Sequence, residues 1–77
     1  MDEVIFTIDF TDLQKENLFM KYLKRYLKGW NLYELIKFND GSNTGKYELT
    51  KIGNNFDDEI EMLVNYLEKR KINYQWE

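Results

Sequence analysis

The chain has 77 residues, 43% of them hydrophobic and 17% aromatic, with a formal net charge of -3; this suffices for the core of one small domain and argues against intrinsic disorder. It holds no cysteine and no histidine, so disulfide staples, thiolate nucleophiles, ordinary zinc sites and Ser-His-Asp or Cys-His machinery are excluded within it. No apolar run reaches the roughly 20 residues of a membrane span, and the acidic start MDEV lacks a basic secretory region. A cytoplasmic protein without metal or cofactor is therefore expected.

The first predicted element is a strand over residues 4–10, VIFTIDF, in which Val4, Phe6, Ile8 and Phe10 alternate with Ile5, Thr7 and Asp9. Thr11 with Gln14 has the T-x-x-Q form of a capping box and predicts a helix over residues 12–28. Leu13, Met20, Leu23 and Leu27 make its apolar stripe, flanked by Phe19, Tyr26 and Trp30, while Lys21, Lys24, Arg25 and Lys28 gather on another face. Gly29 provides the stop. NLYELIKFN, residues 31–39, predicts a second strand whose period is blurred where Leu35 and Ile36 follow each other.

KYELTKIG, residues 46–53, predicts a third strand, with Tyr47 and Leu49 on one side, Glu48 and Thr50 on the other, and Gly53 at its end. Asn55 is a candidate cap for a second helix carrying Phe56, Ile60, Leu63, Val64 and Leu67 at helical spacing. Asp57, Asp58 and Glu59 at its start and Lys69, Arg70 and Lys71 at its end suit the helix dipole. INYQWE closes with a fourth strand that puts Ile72, Tyr74 and Trp76 on one face. The order strand, helix, strand, strand, helix, strand predicts an α+β ferredoxin-like split βαβ fold. Four antiparallel strands in the order 4-1-3-2 would carry both helices on one face.

The glycine-bracketed loop NDGSNTGKYE, residues 39–48, is the stretch most like a ligand site. A Walker loop has the form G-x-x-x-x-G-K-[ST] and leads into a helix. Here Ser42 to Thr44 alone separate Gly41 from Gly45, Tyr47 follows Lys46, and a strand comes next. An EF-hand beginning at Asp40 would end on Lys51, where a bidentate carboxylate is needed. Asp40-Gly41 is instead a hairpin signal, with Gly45 as a second glycine for the turn. Ser42 is the single serine, and with no histidine to activate it, serine hydrolase chemistry is not expected.

If Val4, Phe6, Ile8 and Phe10 face the helices, the open sheet face carries Ile5, Thr7, Asp9, Glu48 and Thr50. RNA-recognition modules of this strand order stack bases on aromatic side chains of the central strands. Those positions here lack aromatics and hold carboxylates that repel phosphate, so direct nucleic-acid binding through the sheet is not expected. Asp9 and Glu48 are expected as neighbours, and Ile5, Tyr33, Leu35 and Ile52 as an apolar strip beside them. Catalysis by that carboxylate pair would need burial to separate their pKa values, and a wet sheet does not supply it.

The expectation is therefore a non-enzymatic, acidic protein-binding module. Its partner would be a larger basic protein, met by Asp9 and Glu48 on the sheet or by Asp57, Asp58, Glu59 and Glu61 on the second helix. Such a basic surface is often a nucleic-acid-binding groove, and occupying it would make the chain an inhibitor that mimics phosphate charge. Size, acidity and an Asn- and Lys-rich, proline-free composition fit the small inhibitors that phages and mobile elements direct at host or defence proteins. The alternative is a homodimer or larger homo-oligomer that binds a small ligand between subunits.

Overall fold

A computed structural model describes residues 2–37 and 44–77. Its elements are β1 (Asp2–Phe10), α1 (Leu13–Tyr26), β2 (Asn31–Ile36), β3 (Gly45–Gly53), α2 (Asp57–Lys69) and β4 (Asn73–Trp76). The strands form one four-stranded sheet in the order β2-β3-β1-β4, every pair antiparallel. This is the ferredoxin-like α+β arrangement that the element order predicts.

Register follows from alternation. β1 pairs with β3 so that Phe6 opposes Leu49 and Ile8 opposes Tyr47, and with β4 so that Phe6 opposes Trp76 and Ile8 opposes Tyr74. Val4, Phe6, Ile8, Phe10, Tyr47 and Leu49 are all buried. They share one core with Phe19 and Leu27 of the first helical segment and Phe56, Leu63, Tyr66 and Leu67 of the second, so both helices cover the same sheet face. Aromatic contacts run through this layer: Phe6 stacks on Trp76 at 5.5 Å, and Phe10 meets Phe19 at 5.4 Å.

Several local expectations are corrected. The cap of α1 is Asp12, not Thr11: one Asp12 carboxylate oxygen accepts from the backbone N–H of Gln14 at 2.8 Å and of Lys15 at 3.4 Å. A carboxylate one residue nearer the helix reaches its free N–H groups and also answers the dipole. α1 ends at Tyr26, Leu27 is its C-cap, and Gly29 takes the turn at φ 91°. The stripe of α1 centres on Phe19, which is fully buried, whereas Leu13 is exposed.

Asn55 does not cap α2. It adopts φ 61°, a left-handed conformation that Asn tolerates, and α2 starts after Phe56 with no side-chain cap. Past its other end, Lys71 takes φ 56°. The bonds Lys71 N–H to Glu68 O at 3.1 Å and Ile72 N–H to Leu67 O at 2.9 Å close the turn and bury Ile72.

β2 stops at Ile36, and Gly45 already belongs to β3, opposite Phe10. The hairpin tip expected at Asp40 and Gly41 lies outside the described residues. The blur at Leu35 and Ile36 is a register shift: Glu34 opposes Tyr47, and Ile36 then opposes Lys46.

Candidate functional site

The face of the sheet away from the helices is uncovered and carries the first candidate site. Ile5, Thr7 and Asp9 of β1 lie there with Thr50, Glu48 and Lys46 of β3 as their direct partners. Glu3 opposes Ile52, Tyr33 opposes Glu48, and Glu77 exchanges backbone hydrogen bonds with Ile5 at 3.0 and 3.2 Å. Asp9 and Glu48 are thus diagonal neighbours, not a facing pair; such positions stand about 7–8 Å apart at Cα. Asp9 instead faces Lys46 on one side and Asn73 on the other.

The expected apolar strip is present only in pieces. Ile5 and Ile52 are diagonal neighbours, but Thr50 and Glu48 stand between them and Tyr33. Tyr33, Leu35 and Ile52 are each more than half exposed. Among the described residues the face therefore mixes apolar and carboxylate side chains, Glu3, Asp9, Glu48 and Glu77, with Lys46 as the cation paired into it. It carries two depressions, about 370 Å³ along Thr7, Asp9, Lys46 and Asn73 and about 270 Å³ along Ile5, Glu48 and Glu77.

The acidic residues expected on the second helix divide. Asp57, Asp58 and Glu61 are exposed. Glu59 turns inward, and one of its oxygens accepts from Trp30 Nε1 and from Lys51 Nζ, both at 2.7 Å. Burial alone would raise this carboxyl, but the bonds from Lys51 and Trp30, with the Lys51 charge, outweigh it and hold Glu59 below the usual carboxylate range. Glu59 anchors α2 to β3 and is not free to meet a partner. Lys51 has the parity of Tyr47 and Leu49 on β3, so its position on the helix-facing side was the available signal that it needs an internal carboxylate.

A second polar cluster escaped the sequence reading. The Tyr47 hydroxyl lies 2.9 Å from Glu16 Oε1 and 3.2 Å from Glu34 Oε2, donating its single proton to one at a time. Burial, then the bond to Glu16 and the two carboxylates, push the Tyr47 phenol well above its ordinary range. It joins α1, β2 and β3 from residues far apart in the chain.

On the opposite side of the molecule, the basic residues expected on the first helix lead to a groove between α1 and α2. Leu18, Lys21, Tyr22, Arg25 and Tyr26 line it from α1, with Tyr66 of α2 and Arg70 at the end of α2. Tyr22 stacks on Tyr66 at 4.0 Å, Tyr26 leans on Tyr22 at 5.2 Å, and the Arg70 guanidinium lies 3.9 Å over the Tyr66 ring. Lys15 Nζ donates to the Arg70 carbonyl at 2.8 Å, tying the start of one helix to the end of the other. The i, i+4 pairs Tyr22/Tyr26 and Tyr66/Arg70 were the signal for it.

Among the described residues no group of histidine, cysteine, aspartate and glutamate side chains is placed to hold a metal ion. No helix among them is long and apolar enough to cross a membrane. No family model matches the chain, and neither a curated protein nor a solved structure matches it. The class defined is thus that of the fold, a ferredoxin-like α+β protein.

Proposed function

We propose that this chain is a non-enzymatic binding module of the cytoplasm that docks its uncovered sheet face onto a basic surface of a larger protein. The observation that carries this reading is the composition of that face: exposed Tyr33 and Ile52 stand among Glu3, Asp9, Glu48 and Glu77, with Lys46 the one cation opposing them among the described residues. Carboxylates steer encounter with a basic partner and set orientation, while a few aromatic and aliphatic anchors supply most of the affinity. Asp57, Asp58 and Glu61, exposed at the start of α2, form a second acidic surface. A basic groove that holds nucleic acid is the natural target, which makes the module an inhibitor of the phage or mobile-element kind.

Affinity capture from a bacterial lysate tests this at two salt concentrations. A basic protein should be retained at low salt and lost at high salt, because exposed charge pairs are screened beyond roughly 10 Å at 0.1 M salt. Reversing Asp9 and Glu48 to lysine should abolish capture; retention by that variant, or capture indifferent to salt, overturns the docking face.

One observation favours a second reading. β2 is an edge strand that leaves Leu35 and Ile36 exposed, and such an edge is a template for pairing with another chain. A stable dimer by size-exclusion chromatography with light scattering would favour a homo-oligomer that holds a small ligand between subunits; a monomer favours the inhibitor.

A further inference from the structure

We propose that the groove between α1 and α2 is a binding site for a nucleoside monophosphate or a close relative, a phosphoryl group carried on a planar ring. The cations come first. Lys21 and Arg25 are an i, i+4 pair of like charge, which is unfavourable on a helix, and Arg70 faces the same groove of about 230 Å³ from α2. The single ion pair among the described residues is Lys51 with Glu59, so none of the described carboxylates forms an ion pair with these three. In a chain of net charge -3, this concentration of unpaired cations on one helical surface is complementary to an oxyanion.

Geometry narrows the anion. The Arg70 guanidinium carbon lies 3.9 Å from the centre of the Tyr66 ring, and a guanidinium held against an aromatic ring can still grip phosphate by paired hydrogen bonds. Arg25 sits 5.6 Å over the Tyr26 ring, and Tyr26 remains half exposed, leaving aromatic surface for a planar ring beside the Leu18 side chain. Beneath them the Tyr22 hydroxyl is hidden from solvent without a hydrogen-bond partner, an expensive state for a donor. Burial first, and then the neighbouring Tyr66, raise its pKa against the opposing charge of Arg70, so it stays protonated at neutral pH. The site lies on the opposite side of the molecule from the sheet face and stands independently of the function proposed above.

Calorimetric titration with adenosine 5′-monophosphate at low ionic strength tests the site. One equivalent should bind saturably, with adenosine and inorganic phosphate each weaker by about tenfold or more, a difference of about 1.4 kcal/mol. Arg70→Gln and Arg25→Gln should each weaken binding by about tenfold with unchanged circular dichroism, whereas Lys24→Gln, which removes the same charge outside the groove, should not. The site is overturned by an absence of saturation at roughly millimolar nucleotide, or by equal losses in Lys24→Gln. Inorganic phosphate binding as tightly as the nucleotide removes the ring contact. A single-stranded oligonucleotide binding far more tightly than the mononucleotide assigns the groove to nucleic acid instead.

Discussion

At the residue scale, small displacements along the chain decide which side chain acts. Thr11 and Asp12 are both cap-forming types, and the T-x-x-Q pattern favours the first; the backbone puts the second at the cap, with φ -134° and ψ 115°. Asp12→Ala should therefore destabilise the protein by about 1 kcal/mol, while Thr11→Ala should change it by much less. Equilibrium urea unfolding of the two variants checks the assignment, and a larger loss at Thr11 would return the cap to it. Glu59 shows the same limit. Its place in the first turn of α2 suits the dipole and is legible from composition, but its bonds to Trp30 and Lys51 depend on β3 arriving beside α2, which no local pattern announces.

At the scale of elements, legibility follows how strongly one face is buried. β1 is central in the sheet, and its Val4, Phe6, Ile8 and Phe10 alternate without interruption because a one-residue slip would put them all in water. Phe6 touches Trp30, Tyr74 and Trp76 and is fully buried. Phe6→Ala should cost about 3–5 kcal/mol, measured by the shift in denaturation midpoint; a negligible change would mean that the opposite sheet face is the covered one. β2, an edge strand with one partner, shows the converse. Only Leu32 within it is even partly buried, so its pattern is weak, and the register shift at Leu35 appears in the sequence merely as two adjacent aliphatic residues. The helices lie between these cases: Leu63 and Leu67 were expected in the core, while Tyr66, buried by its stack on Tyr22, was not.

At the scale of the molecule, ionisable groups inside the fold link stability to pH at both extremes. The Glu59 carboxyl is depressed on folding, so its contribution is present above the ordinary carboxyl pKa of 4.5 and lost as pH falls through the lower, folded value. Tyr22, Tyr47, Tyr66 and Tyr74 are raised, chiefly by burial. Their contribution is present below the ordinary phenol pKa of 10.0 and lost as pH rises through the folded values. The melting temperature should accordingly fall on acidification below about pH 4.5 and on alkalinisation above about pH 10. Glu59→Gln should flatten the acid limb alone. An acid limb of unchanged steepness in that variant would place the linkage elsewhere.

The amino-acid sequence by itself determined the order of elements, the core face of β1 and β3 and most of that of α2, and the antiparallel topology, because alternation, helical spacing and chain order are local and the burial they encode is large. It also disposed of the Walker reading of residues 39–48, which fails on spacing and on the strand that follows, and of the EF-hand reading, which puts Lys51 where a carboxylate is needed. Only the tertiary structure decided which polar groups meet. It set Asp9 diagonal to Glu48 and opposite Lys46, withdrew Glu59 from the surface, placed Tyr47 between Glu16 and Glu34, and brought Arg70 across from Lys21 and Arg25. Hydrogen bonds and charge pairs act over a few ångströms, and whether residues distant in sequence fall within that range depends on register and helix placement, which the packing of the core settles.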